Sequence, residues 1–375
     1  MMKQEILSKS YRFAFVLPVR FPTEKAYGVT TENTAWAVAQ ANFDVFIVTP
    51  RFDERFKTKL PHQLIGKTLH RILLSFDIPK VSEFLFHIFV FLFSFLVRIK
   101  IRDKNTIFWT RNILLTFILS LFGNRLVICE IHHPLTYLKK LVLRILIRRE
   151  NVVIAPIVKY LCDDLGESPR VIEMPMCVNE TDLCGLETLD LRTKSIVYLG
   201  HLSSSGVNLD LNWLYRLGEW LFNHFPDWTL TVIGVTEEEF LSNVGRALPR
   251  NLNVVGYLPR EQVFRFLREA AYGIVMYSES SFYRNTFPIK IVEYAASGCA
   301  LVVSDTTAHK RILDESLCYY FKLDDDDSIR DLLSSLLGQG AVANKRAKVS
   351  RLWVGDYTYP KRIAPVLEIV RERAG

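Results

Sequence analysis

Short apolar runs alternate with helix-length segments along nearly the whole 375-residue chain, and no other feature narrows the choice of fold as much. The runs are Tyr11–Leu17, Val45–Thr49, Thr106–Thr110, Arg125–Glu130, Asn151–Ala155 and Arg170–Glu173. They resume at Ile196–Gly200, Leu230–Gly234, Asn253–Tyr257, Gly273–Tyr277, Ala300–Ser304 and Cys318–Phe321. Helical patterns lie between and after them, at Asn33–Ala41, Asn208–Phe225, Ile289–Ser297 and about Lys361–Arg373. Continuous apolar strands separated by helices read as parallel sheets covered on both faces. The rhythm thins over Met174–Asp190 and then restarts, and the length exceeds one ordinary core. The expectation is an α/β chain of two Rossmann-like doubly wound domains facing across a cleft. These are an N-terminal domain over 1–180 and a C-terminal domain over 190–358, with a last helix over 359–375 able to pack back toward the first. Ligands of such sheets bind outside the carboxyl ends of the strands.

Charge narrows the partners. The net charge is +7, which suits nucleic acid, an anionic membrane surface or a phosphorylated substrate. Basic residues do not interleave with aromatics on one recognisable element, so nucleic acid is not an expected partner. The six cysteines form no CxxC pair and no zinc spacing, and the first twelve residues lack an apolar signal core; the expected location is cytoplasmic. Val81–Val97, VSEFLFHIFVFLFSFLV, is too short for a confident span of about 20 apolar residues. A helical wheel puts Lys80, Glu83, His87, Ser94 and Arg98 on one narrow stripe. That pattern reads as a buried helix with one wet edge, or as a helix lying in a membrane interface. In Leu138–Arg149, LKKLVLRILIRR, residues Lys140, Arg144 and Arg148 recur every four positions. With Arg98, Lys100, Arg102 and Lys104 they suit peripheral contact with an anionic membrane, or else a solvated helix face.

The segment richest in chemistry is Asn285–Gly298, NTFPIKIVEYAASG. Asn285 or Thr286 can cap a helix, Pro288 fits near its first position, and Gly298 fits the left-handed residue that ends it. A helix starting at a ligand site offers backbone N–H groups to an anion. Lys290 in the first turn opposes the helix dipole, a penalty that a bound diphosphate reverses. Glu293, one turn on, can accept hydrogen bonds from a ribose diol. A capped core helix with a snorkelling lysine accounts for the same residues.

This segment resembles the nucleotide-sugar signature of the GT-B glycosyltransferases known as glycosyl transferases group 1, a largely retaining family. The resemblance assigns Glu293 to the ribose. It places Asn285 where the family has a second acid eight residues earlier, and an amide there can bond sugar hydroxyls without carrying charge. It implies donor contacts from Thr286, Phe287, Pro288, Ile289 and Lys290. FPTEKAYGVTTEN, Phe21–Asn33, resembles the glycine-containing loop after the family's first strand, with Gly28 allowing close approach of backbone to the donor. FWTRN, Phe108–Asn112, and CEIHHP, Cys129–Pro134, resemble strand ends facing the cleft. His132 then matches the histidine that contacts the transferred sugar, and His133 and Arg111 are candidates for acceptor or phosphate. YLGHLSSSG, Tyr198–Gly206, supplies Gly200 and His201 to the donor. Here His201 and Ser205 stand where relatives carry an arginine and a lysine. Catalytic roles fall to His132, Asn285 and Glu293.

Neither GxGxxG after the first strand nor GxxxxGK[ST] is present, so a dinucleotide dehydrogenase or P-loop enzyme lacks its fingerprint. Asp324–Asp327 reads as a helix N-terminus in preference to a metal-binding DxD. The expected activity is metal-independent transfer of a hexose or N-acetylhexosamine. The donor is a nucleotide diphosphate sugar, with no further cofactor. The acceptor is a glycan or lipid-linked molecule in the synthesis of a bacterial surface polysaccharide such as lipopolysaccharide, with retention implied by the resemblance. Two other readings stay open: a non-catalytic GT-B-like protein at the membrane, and a sugar-nucleotide epimerase.

Overall fold

The computed structural model describes residues 11–19, 21, 26–50, 83–121, 125–166, 168–185, 193–200, 203–204, 207–208, 210–280, 286–338 and 340–374. The chain divides into two compact units, Met1–Met176 with Tyr359–Gly375, and Cys177–Thr358.

The first unit is built on β1 (Arg12–Val16), β2 (Asp44–Val48), β3 (Thr106–Thr110), β4 (Val127–Ile131) and β5 (Val152–Pro156). They pair in parallel in the order β2-β1-β3-β4-β5. Every residue of β3, β4 and β5 is buried, as expected of strands covered on both faces. The connections are α1 (Ala26–Gln40), α2 (Glu83–Lys100), α3 (Ile113–Leu121) and α4 (Tyr137–Leu146). Right-handed crossovers place a helix according to the direction in which the chain steps along the sheet. From β1 to β2 the chain steps one way; from β2 through β5 it steps the other. Hence α1 covers one face, and α2, α3 and α4 form a layer on the opposite face, α3 in the middle.

The second unit carries β6 (Thr193–Leu199), β9 (Thr229–Ile233), β10 (Leu252–Gly256), β11 (Ala270–Val275), β12 (Ala300–Ser304) and β13 (Cys318–Phe321). They are parallel in the order β10-β9-β6-β11-β12-β13, the doubly wound arrangement with its switch point between β6 and β11. β7 (Ser203–Ser204) and β8 (Val207–Asn208) make a small antiparallel pair. The helices are α5 (Leu211–His224), α6 (Glu237–Val244), α7 (Arg260–Glu269), α8 (Ile289–Ser297), α9 (Thr307–Ile312), α10 (Asp326–Leu337) and α11 (Gly340–Trp353). The last helix, α12 (Tyr359–Ala374), returns to the first unit and packs on α1. All six cysteines are buried free thiols.

Four expectations need correction. The first helix starts at Ala26, seven residues before the predicted Asn33, so Gly28 lies in its first turn and not in a loop. Arg170–Glu173 forms only a single bridge, Val171 to Ile154, where it runs along the outer edge of β5: the Ile154 amide donates to the Arg170 carbonyl and the Ile172 amide to the Ile154 carbonyl, each at 2.9 Å. The cap of α8 is Pro288, with no side-chain cap hydrogen bond; Thr286 lies outside the helix, and Asn285 is outside the described residues. The fourth concerns α2. Its buried line is Val90, Phe93, Ser94 and Val97, and Ser94 satisfies itself by donating to the Val90 carbonyl at 2.6 Å. Of the predicted polar stripe, His87 is exposed and Ser94 is buried, and the side opposite the buried line is exposed yet apolar, so the helix is not buried with a single polar edge. The buried line packs on the sheet against Ala14, Val16, Val48 and Phe108, and α3, itself almost wholly apolar, lies beside α2 in the same layer. Within Asp324–Asp327, Asp325 caps α10 by accepting from the Asp327 and Ser328 amides, and Asp326 pairs with Arg216 at 2.7 Å.

Candidate functional site

Two polar clusters stand at the carboxyl ends of strands, one in each unit. In the first unit, period-two alternation brings Trp109 and Arg111 to the end of β3, and Glu130 and His132 to the end of β4. Glu130 is the hub. Its carboxylate accepts from Trp109 Nε1 at 2.7 Å, Arg111 Nε at 3.0 Å and Arg362 Nη1 at 3.2 Å, and lies 2.6 Å from His132 Nε2. Arg362 arrives from α12 and also donates to the Pro175 carbonyl and to Thr34 Oγ1. Burial pushes the Glu130 carboxyl up, but Arg362, Arg111 and the His132 hydrogen bond outweigh it and hold the group well below its ordinary range. Burial, and then Arg111, press His132 down to about 3 against the pull of Glu130.

A charged carboxylate beside a neutral imidazole fixes the tautomer. Nε2–H donates to Glu130, and Nδ1 keeps its lone pair for another donor. Arg111 Nη2 is buried with no hydrogen-bond partner among the described residues, so this guanidinium has capacity left for an anion. His133 is exposed at the surface.

In the second unit the cluster lies over the β6/β11 switch point. Gly298, at φ 81°, ends α8 in the left-handed conformation, and Lys290 sits in the helix's first turn. The Lys290 ammonium is buried over two rings, 4.6 Å from the Tyr198 centroid and 5.0 Å from that of Tyr277. Tyr198 is the last residue but one of β6, and Tyr277 follows β11. Burial lowers the lysine to about 7, with Glu293 opposing in part. Its surroundings are thus aromatic faces, which favour a cation without neutralising it.

Gly200 follows β6 tightly. A Cβ there would fall 2.5 Å from the Tyr198 hydroxyl, and one on Gly234 (φ 95°) would fall 2.6 Å from the Gly200 carbonyl oxygen. At Gly234 only glycine fits, and at Gly200 a side chain would displace the Tyr198 ring from its place beside Lys290. Tyr294 anchors the helix to the same corner, its hydroxyl accepting from the Leu199 amide at 2.7 Å. Behind Tyr277, His309 lies 2.8 Å from the Ser304 carbonyl through Nδ1, and burial lowers its pKa to about 4.

Glu293 is buried on α8, and its Oε1 accepts from Arg260 Nη1 at 2.6 Å. Arg260 also reaches Asp182 at 3.1 Å. The structure therefore groups Gly200, Lys290 and Glu293 in one unit and Arg111 and His132 in the other. Phe287 and Pro288 are buried at the start of α8, and Phe287 packs edge-on against Tyr357. His201 and Ser205 lie outside the described residues, as does Asn285.

Sequence reasoning missed Glu130, although its two-residue spacing from His132 on a strand was a usable signal. Tyr198 and Tyr277, each at the end of an apolar run, carried a weaker one. Arg260 and Arg362 come from distant helices and left no local trace.

The two doubly wound parallel sheets have the fold seen in GT-B glycosyltransferase structures. Residues 193–339 match the family model described as Glycosyl transferases group 1, which covers the whole α8 cluster. Solved structures resemble nearly the entire chain. Sucrose-phosphate synthase from Thermosynechococcus elongatus is similar at TM-score 0.71 and 12% identity, over 97% of this chain and 99% of that one. A glycosyltransferase from Rickettsia africae is similar at 0.67 and 14%, over 97% and 98%. HepE of Anabaena, solved with UDP and glucose, is similar at 0.65 and 10%, over 96% and 99%. No curated protein matches the chain.

Proposed function

We propose that the protein transfers a hexose or N-acetylhexosamine from a nucleotide diphosphate sugar to a glycan or lipid-linked acceptor, without a metal ion. The acceptor belongs to the synthesis of a bacterial surface polysaccharide. The observation that carries this reading is Lys290: a buried cation held by two tyrosine rings at the N-terminal turn of α8. It has an unmet demand for negative charge, and the helix amides beside it share that demand. A departing nucleoside diphosphate meets both, and charge that develops on it is stabilised in place.

Glu293 complements this. Arg260 holds Oε1 and so fixes the carboxylate, whose second oxygen can then accept from a ribose hydroxyl. Gly200 and Gly28 admit close approach of backbone to the donor. In the first unit, Glu130 sets the His132 tautomer so that Nδ1 accepts from a sugar hydroxyl, and Arg111 offers Nη2 to a phosphate or acceptor oxygen. The family resemblance supports retention of the anomeric configuration.

Calorimetry with UDP and GDP tests the donor half. One of the two is expected to bind, and Glu293→Ala is expected to cut sugar transfer at least tenfold. If neither nucleotide bound, the chain would be a binding protein of the same fold and the transferase reading would fall.

A further inference from the structure

The layer of helices α2, α3 and α4 presents an outer surface that a soluble protein rarely leaves in water. On α2, Ile88, Phe91, Leu92 and Ile99 recur at helical spacing on the side away from the buried Val90, Phe93 and Val97. Leu92 and Ile99 are each 55% exposed. On α4, Leu138, Leu141 and Ile145 follow at i, i+3 and i+7, opposite the buried Leu143 and Leu146, with Leu138 71% exposed. Leu121, at the end of α3 between them, is also exposed. Contiguous apolar surface of this kind marks a docking site.

The charges around it select the occupant. Residues 84–102 contain Arg98, Lys100 and Arg102 and no acid; residues 131–149 contain Lys139, Lys140, Arg144, Arg148 and Arg149 and no acid. Arg144 and Arg148 are exposed and flank the Leu141–Ile145 ridge. Two outward apolar ridges edged by cations match a bilayer surface with anionic headgroups, where side chains enter the acyl boundary and cations stay among the phosphates. A second copy of the chain fits poorly, because a two-fold contact through this face would set Arg144 and Arg148 against their own kind. Neither helix needs to span: among the described residues no helix is long and apolar enough to cross a membrane.

We propose that α2 and α4 together form a peripheral membrane-docking face, inserting Ile88, Leu92, Leu138 and Leu141 into an anionic leaflet. The face would hold the first unit at the surface where a lipid-linked acceptor resides. The proposal rests on the fold and this surface alone, so it can fail or stand independently of nucleotide binding.

Flotation of the full chain with vesicles tests it. Binding is expected to phosphatidylcholine vesicles containing about 30% phosphatidylglycerol, to weaken at least tenfold in 0.5 M salt as headgroup attraction is screened, and to be weak to phosphatidylcholine alone. Leu92→Ser with Leu141→Ser is expected to lower binding at least tenfold, with the thermal unfolding midpoint kept as a check on the fold. Arg144→Gln with Arg148→Gln is expected to remove the preference for anionic lipid. No binding to either vesicle, or a concentration-dependent dimer that the serine substitutions abolish, would overturn it.

Discussion

The two units repeat one architecture, yet they treat buried charge in opposite ways. In the first, Glu130 is surrounded by Arg111, Arg362, His132 and Trp109, so its charge is met inside the protein. In the second, the Lys290 ammonium is met by the faces of Tyr198 and Tyr277, which attract it without cancelling its charge. The contrast separates two uses of an ionised side chain at a strand end. A carboxylate with this many donors is a structural joint, and it ties α12 to β4. A cation left short of negative charge is a binding device, because the missing partner is the ligand.

The largest effect is expected where the internal accounts are most tightly closed. Glu130→Ala strands Arg362 and Arg111 in the interior without their carboxylate. Breaking a buried pair by removing one partner costs about 3–5 kcal/mol. Urea unfolding followed by hydrogen exchange should place that loss in the first unit, with α12 and β4 losing protection together. Glu130→Gln keeps the shape and some hydrogen bonds, and should cost less. A loss below about 1 kcal/mol for the alanine variant would mean that Glu130 is not the joint described here.

Lys290→Met inverts the expectation. It removes a cation whose burial the protein only partly offsets, so stability should rise slightly while nucleotide affinity falls at least a hundredfold. The pH dependence sharpens this. With its pKa near 7 when folded and near 10.5 when unfolded, Lys290 binds fewer protons in the native state between those values. Its destabilising effect is therefore full below pH 7 and is relieved as pH rises toward 10.5. The stability advantage of Lys290→Met should be greatest at pH 6 and shrink at pH 9. Nucleotide binding to the wild type above pH 7 should take up a proton, visible as a buffer-dependent enthalpy. Equal enthalpies in phosphate and Tris at pH 8 would refute a titrating Lys290.

The order of strands and helices was legible because each apolar run had to be buried on both faces. Even so, Arg170–Glu173 shows the limit: the segment lies on the free edge of β5 and is hydrogen-bonded to it, yet it pairs for a single bridge only, and an apolar run does not reveal how far the pairing extends. The α8 segment was readable from Pro288, Lys290, Glu293 and Gly298, since caps and dipole effects are local. Its cap was misassigned to Asn285 or Thr286 because side-chain capping is a preference, and Pro288 begins the helix without it. What could not be read were pairings set by tertiary packing. Arg362 reaches Glu130 from 232 positions away, and Arg260 reaches Glu293 from another helix. The exposed face of α2 was concealed for a related reason. Both faces of α2 are apolar, so periodicity did not tell which one would meet the sheet; Val90, Phe93 and Val97 do so.

The smallest effect concerns the rings that distinguish the second cluster. If the tyrosine faces do stabilise the ammonium, Tyr277→Leu should weaken nucleotide binding only a few-fold, since a cation–π contact contributes about 0.5–2 kcal/mol. It should also lower the Lys290 pKa, because leucine adds burial without attraction. The midpoint of the pH–affinity curve would then move to lower pH while the affinity at pH 6 stayed within a few-fold of the wild type. The direction of that midpoint is the informative quantity. A shift upward would mean that the Tyr277 ring acts mainly by excluding water, so that its loss rehydrates the ammonium. The second cluster would then owe its poise to dryness, and the contrast with the Glu130 joint would be one of solvation instead of partner chemistry.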